Sequence, residues 1–237
     1  MRRAVIIPGR RSKIVAAVWI IAVMGALTLS VLWQGSAAVI SRYQHQHSVV
    51  IDAGHGGYDP GAITQQGLYE KEINLQVAKK VADLLAPGVI HVTLTRDEDE
   101  DYVPNGLQGK TTKKQTDLNY RISMAAEAKA DLFVSLHVNA EAGGQKSGAE
   151  TFFYEGSASG KKLAETIQQE LIKIPGMNRR IAKPADFYVL RNTEMPAVIV
   201  ELGYLSNPLE RKKLQQSWYQ AQLAQAVAKG IARYLDE

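Results

Sequence analysis

Ser48-Val49-Val50-Ile51-Asp52-Ala53-Gly54-His55-Gly56-Gly57 is the stretch whose reading decides the fold. Its β-branched run reads as a strand buried on both faces, the kind that builds parallel sheets. A glycine-rich turn follows, and the turn carries a histidine. Two further runs repeat the pattern: Leu132-Phe133-Val134-Ser135-Leu136 leads into His137, and Ala197-Val198-Ile199-Val200 into Glu201. In open α/β sheets, ligands and chemistry gather at the carboxyl ends of the strands. This sequence places two histidines and a glutamate there.

The segments between these runs have helical period. Ile73, Val77, Val81 and Leu84 predict a helix over 72–86, stopped by Pro87-Gly88. Strand 89–95 comes next, then a helix capped by Thr116 or Asp117 that reaches 129 with Leu118, Ile122 and Ala125 on one face. A strand at 149–155, a helix at 158–173, strands Phe187–Arg191 and Ala197–Glu201, and a closing helix marked by Leu223, Val227, Ile231 and Tyr234 complete the chain. The expectation is a single α/β domain over 48–237, a mostly parallel sheet of about six strands with helices on both faces. Asp97–Gln115 and Glu141–Gly148 lack periodicity. They read as solvated loops, the first with a lid over the site as its alternative.

Residues 1–33 are different in kind. Arg2, Arg3, Arg10, Arg11 and Lys13 precede an uncharged run from Ile14 to Trp33, long enough to cross a bilayer. That length favours a retained signal-anchor over a cleaved signal peptide, although the small residues Gly35 to Ala38 leave cleavage open. Residues 34–47 form a tether, and the basic flank predicts that everything beyond it is exported. The same flank explains the net charge of +4. Five of the 28 basic residues lie in it, and the rest fall one short of the 24 acidic ones, so nothing draws the domain to nucleic acid. With no cysteine, neither disulfides nor thiol chemistry enter.

Single-metal hydrolases commonly hold their ion with three His or carboxylate ligands from distant parts of the chain. His55 and His137 are the natural nitrogen donors. Glu70 or Glu72, both just beyond the glycine turn, could supply the oxygen, and spacing alone leaves the two open. Glu201 suits proton transfer, because a glutamate after four apolar residues is costly unless a nearby cation and a cleft give it a purpose. A lone histidine at a strand end is more often a hydrogen-bonded structural residue; the coincidence with Glu201 at a third strand end is what favours ligands. His45, His47 and His91 have no such company and read as structural or solvent-facing. Asn139 and Arg96 follow strands facing the same rim and are candidate substrate contacts. Arg191 is another, whereas Arg179 and Arg180 fit a solvated face better.

Val50-Ile51-Asp52-Ala53-Gly54-His55-Gly56-Gly57, Glu70-Lys71, Leu94-Thr95-Arg96, Leu118-Asn119-Tyr120-Arg121, Ser135-Leu136-His137-Val138-Asn139-Ala140, Pro196 to Glu201 and Gly203-Tyr204-Leu205-Ser206-Asn207 resemble, in order, the signature blocks of the zinc-dependent N-acetylmuramoyl-L-alanine amidases. The resemblance spans residues 48–235. It implies zinc held by His55, Glu70 and His137, Glu201 as catalytic acid/base, and peptidoglycan as substrate, and it selects Glu70 over Glu72. A lone amidase domain behind an N-terminal hydrophobic segment is similar to the germination-specific amidases of endospore-forming bacteria, which implies a part in forming muramic δ-lactam in the spore cortex. Arg180 departs from the pattern, since relatives often carry glycine there. No wall-binding repeat is found in the sequence, so targeting falls to the membrane segment or to an accessory protein that could also activate the enzyme.

The rivals are a vegetative wall autolysin, a zinc carboxypeptidase and a non-catalytic peptidoglycan-binding protein. The second lacks its His-x-x-Glu pair, since Tyr58 stands three after His55. The third is disfavoured by the presence of all four site residues.

Overall fold

The computed structural model describes residues 19, 23–25, 30, 47–87, 89–104, 106 and 112–237. The chain divides between Gln46 and His47. The expected basic flank, all but residues 19, 23–25 and 30 of the expected signal-anchor, and the tether up to Gln46 lie outside the described residues. Among the described residues no helix is long and apolar enough to cross a membrane.

From His47 onward the order is β1 (His47–Ala53), α1 (Glu70–Leu85), β2 (Ile90–Leu94), α2 (Lys113–Glu127), β3 (Leu132–Asn139), β4 (Glu150–Phe153), α3 (Ala158–Leu171), β5 (Lys183–Pro184), α4 (Tyr188–Asn192), β6 (Ala197–Tyr204), α5 (Pro208–Leu214) and α6 (Ser217–Asp236). The six strands form one sheet in the order β2-β1-β3-β6-β4-β5, parallel except where β4 meets β6. The chain runs from β1 to β2 on one side and returns to β3 on the other. That reversal opens a crevice at the carboxyl ends of β1 and β3.

Period-two alternation assigns every strand residue to a face. Val49, Ile51, Leu132, Val134, Leu136, Val198 and Val200 join the larger core under α1, α3 and α6. Val50, Phe133, Ala197 and Ile199 join a smaller one under α2 and α4. The alternation also puts Asp52, Ser135, His137 and Glu201 on the smaller-core face, where the helices leave the strand ends open. Registers bring them side by side: Asp52 is opposite Ser135, and His137 opposite Glu201.

Four expectations need correction. Phe187–Arg191 is not a strand: Arg191 N–H donates to Phe187 O and Thr193 N–H to Val189 O, the mark of the short helix α4. So short a run, four apolar residues before Arg191, cannot distinguish the two by period, and the sixth strand is the two-residue β5 instead. Helix α2 begins earlier than Thr116. Thr112 caps it, its side chain accepting from Gln115 N–H while the Gln115 side chain accepts from Thr112 N–H, and Asp117 lies inside the helix. Helix α5 was not expected, although Asn207 as cap and Pro208 in the first turn are ordinary start signals. His47 belongs to β1 rather than the tether, and its ring stands 3.5 Å from Asp131.

The packing of α3 on α6 depends on one small residue. A Cβ at Gly230 would meet Ile167 Cα at 2.6 Å, a backbone contact that cannot yield cheaply. Gly230→Ala would gain about 1 kcal/mol of helix propensity and lose about 1–3 kcal/mol to overpacking. The expected result is a net loss of stability in urea unfolding, in contrast to the gain that the same change gives in an exposed helix.

Candidate metal centre and catalytic site

The site begins with a backbone problem. His55 adopts φ +64°, a left-handed conformation that costs a non-glycine residue free energy unless its surroundings enforce it. Two buried guanidinium groups enforce it. Arg96 Nε and Arg121 Nη1 both donate to Ala53 O, at 2.8 and 2.9 Å. Gly54 O accepts from Arg96 Nη2 and Asn74 Nδ2, and His55 O from Arg121 Nη2 at 2.8 Å. Arg96 also reaches Lys71 O and Glu98 O, tying the start of α1 and the loop after β2 to the same turn. Arg96 is 2% exposed. The expectation that it touches substrate is thus wrong, because its donors are spent on backbone.

The buried charge of Arg121 is balanced by Asp52 and Asp117, at 2.8 and 2.7 Å. Asp52 also accepts from Thr95 Oγ1 and Ser135 Oγ. Burial alone would raise the Asp52 carboxyl, but Arg121 and the Ser135 hydroxyl overrule it and hold it below the usual carboxylate range.

On this support three side chains converge. Glu70 Oε1 lies 3.2 Å from His55 Nε2 and 3.0 Å from His137 Nδ1. One donor atom from each of the three falls within 4.8 Å of the others. The histidine rings meet edge to face at 4.8 Å between centroids. Gly54 makes the approach possible, since a Cβ there would meet His137 Nε2 at 2.2 Å. Glu70 is fixed by Val138 N–H, Ala62 N–H and the Asn74 amide. Glu72, the competing oxygen donor, lies outside the cluster.

This donor set suits zinc. Bonds of about 2.0–2.2 Å in a tetrahedral arrangement separate neighbouring donors by roughly 3.3 Å, close to the two distances found. His55 Nδ1 stands 2.8 Å from Asp59 Oδ2, the carboxylate support that metal-bound histidines commonly have. Burial would lower the His55 imidazole, but the Asp59 and Glu70 carboxylates beside it outweigh this and hold it at about 9. The same two imidazoles keep Glu70 far below the usual glutamate range against its own burial. A cation entering the cluster displaces the imidazole proton, so uptake releases acid.

Glu201 sits next to His137 across the β3–β6 register, and its Oε2 is buried without a hydrogen-bond partner among the described residues. Burial lifts its carboxyl to about 7, against the pull of His137 and with the push of Glu70. A carboxyl poised near neutrality can both take and return a proton.

Asn139 is half-buried at the end of β3, two residues past His137, with its carbonyl accepting from Leu205 N–H. Arg191 is not in the three-donor cluster; it pairs with Asp186 and lies over the Tyr188 ring. Arg180 is less solvated than expected, bonding Ser147 O and Glu150. The loop after β2 is neither lid nor free loop in its first part. Asp99 accepts from Gly57 N–H and pairs with Lys71, and Asp101 accepts from Tyr58 N–H, so it straps the glycine turn. Sequence reasoning gave no role to Asp52, Asp59 or Arg121. An aspartate within an apolar strand and another four residues after His55 were the available signals.

A cluster of two imidazoles and a carboxylate beside an unpaired, nearly neutral carboxyl defines a metal-dependent hydrolase site. The sequence profile of the N-acetylmuramoyl-L-alanine amidases matches residues 49–233, and the chain belongs to that zinc-dependent family. The germination-specific N-acetylmuramoyl-L-alanine amidase of Bacillus subtilis (strain 168) is 36% identical over 190 residues, 80% of either chain. The structure of the CwlD amidase from Clostridioides difficile, solved in complex with the GerS lipoprotein, is 36% identical with a TM-score of 0.76, covering 80% of this chain and 98% of that one. The catalytic domain of CwlV from Bacillus (Paenibacillus) polymyxa var. colistinus is 35% identical with a TM-score of 0.70, over 80% and 98% of the two chains.

Arg121→Gln leaves the Asp52 carboxylate buried beside a neutral amide, and removing one partner of a buried pair costs about 3–5 kcal/mol. The pH dependence should invert. In the wild type, the depressed Asp52 pKa contributes stability above the unfolded value near 3.8 that is lost as pH falls. In the variant, burial without its cation raises that pKa, so stability is lost as pH rises through it. Denaturant melts from about pH 2 to pH 8 cover both arms and read the difference.

Proposed function

We propose that His55, Glu70 and His137 hold one zinc ion and that Glu201 is the general acid/base of an N-acetylmuramoyl-L-alanine amidase. The observation that carries this reading is the unpartnered Glu201 Oε2 beside the three-donor cluster. Zinc bound there would polarise the scissile carbonyl and activate water. Glu201 takes the proton of the attacking water and delivers it to the leaving nitrogen of L-alanine, which its position near neutrality allows in both directions. Asp59 orients the His55 ring through Nδ1, and Asn139 keeps a place on the rim as a substrate contact. Arg96 and Arg121 fix the turn.

The purified domain from residue 47 should contain one zinc, and His55→Ala or His137→Ala should remove metal and activity together. Glu201→Gln should retain the metal while turnover falls on the order of 10²- to 10⁴-fold. Metal analysis alongside a wall-digestion assay checks both. Full zinc retention in either histidine variant would overturn the ligand assignment.

The relatives that act in germination support a place in spore cortex maturation, with peptide removal preparing muramic acid for δ-lactam closure. We further assign residues 1–33 to a membrane anchor or export signal, 34–47 to a tether, and the catalytic domain to the outer side of the cytoplasmic membrane. The complex of CwlD with the GerS lipoprotein supports an accessory partner here as well. A vegetative autolysin is the alternative setting for the same chemistry.

The bond is directly testable. Amino-terminal labelling of digested peptidoglycan should show new L-alanine ends with no rise in reducing sugar. Free D-alanine without new L-alanine ends would indicate a carboxypeptidase. A strain lacking the protein should lose muramic δ-lactam from its cortex; unchanged δ-lactam would favour the vegetative setting.

A further inference from the structure

A cavity of about 260 Å³ opens beside His55, His137 and Glu201 and runs beneath α2 and α4. Proton transfer and metal binding leave its far wall without a purpose. That wall is apolar, made by Leu118, Phe187, Tyr188, Val189 and Ile199. Phe187 keeps 41% of its surface exposed, costly for a ring with no partner on that side. It is also held in place. Phe152 packs its ring edge to face behind it at 5.7 Å, and the neighbouring Tyr188 hydroxyl donates to Asn119 Oδ1 at 2.7 Å.

Charge decides what the cavity takes. Asp52, Asp59 and Asp117 face it against Lys114 and Arg121, and Arg121 is already paired with two of those aspartates. No surplus of positive charge draws a carboxylate inward. On the other side of Glu201 the balance reverses. Glu150, opposite Glu201 in the β4–β6 register, gathers both Arg180 and Lys183. A substrate made of a neutral, N-acetylated sugar joined by an amide to a carboxylate-bearing peptide therefore fits in one sense, with the sugar in the cavity and the peptide toward the cationic edge.

We propose that the cavity under Phe187 is the subsite for the N-acetylated muramoyl sugar, with Phe187 as the ring on which the C–H face of the pyranose packs. The assignment rests on the amidase reading and adds which half of the substrate goes where. Phe187 is outside the three-donor cluster and carries no proton to move, so its effect falls on binding rather than on proton transfer.

The test uses the inactive Glu201→Gln protein loaded with zinc, titrated calorimetrically with two probes, the N-methylamide of N-acetylmuramic acid and the dipeptide L-alanyl-D-glutamate. Adding Phe187→Ala should weaken the sugar probe about tenfold, the size of one lost ring contact of about 1.4 kcal/mol, and leave the dipeptide unchanged. In the active enzyme the same substitution should act mainly by raising KM on peptidoglycan fragments. Phe187→Trp, which keeps a ring against Phe152, should restore sugar binding. The proposal is overturned if Phe187→Ala leaves sugar affinity unchanged, if it weakens the dipeptide instead, if Phe187→Trp fails to restore the sugar in a protein with wild-type melting temperature, or if the sugar probe does not bind the parent. Failure of the amidase reading shows elsewhere, as wild-type enzyme that makes no new L-alanine ends.

Discussion

Two buried guanidinium groups on three consecutive carbonyls are the constraint on which the rest of this domain depends. The carbonyls of Ala53, Gly54 and His55 are where β1 ends and the metal-facing turn begins, and Arg96 and Arg121 cover all three. An unpaired buried carbonyl costs about 1–3 kcal/mol, so the turn has one inexpensive conformation. That conformation gives His55 its positive φ and places it against Glu70. Because Arg96 also holds Lys71 O and Glu98 O, the helix that carries the second donor and the loop that straps the glycine turn are tied to the same point.

Burying two arginines is itself expensive, and the aspartates show how the cost is met. Asp52 and Asp117 balance Arg121, while Arg96 spends its donors on neutral carbonyls and forms no ion pair among the described residues. The ion pair is weak evidence of stability, since apolar replacements of buried pairs are often as stable. Its value here lies in geometry, for no apolar side chain could supply the N–H groups the turn requires. The cluster of His55, Glu70 and His137 is thus pre-arranged by polar groups that do not belong to it.

Much of this was legible in the sequence because it follows from periodicity. Val49 to Ala53, Leu132 to His137 and Ala197 to Glu201 were readable as strands, and counting by two along them places Asp52, Ser135, His137 and Glu201 on one face. Residues whose roles depend on side-chain direction were not readable. Arg96 follows a strand toward the rim just as a substrate contact would, and only the fold shows it turned inward. Arg191 shows a related limit: the run Phe187–Arg191 is helical rather than extended, and its pairing with Asp186 was not readable from the run itself. The choice between Glu70 and Glu72 could not be made by spacing, since the register of α1 against β3 is a tertiary fact. Thr112 shows a different kind of miss, because its capping box was present in the sequence but Thr116 and Asp117 lay nearer to the apolar face.

The two-residue strand β5 has a consequence for life in a crowded wall. A sheet edge with free N–H and C=O groups is a template for pairing with another chain. Here the outermost strand is Lys183-Pro184, in which the proline has no N–H to offer and the lysine is drawn back onto Glu150. So short and interrupted an edge gives a second copy almost no ladder to extend. Many enzymes can then gather on one polymer surface without this side of the sheet zipping them together.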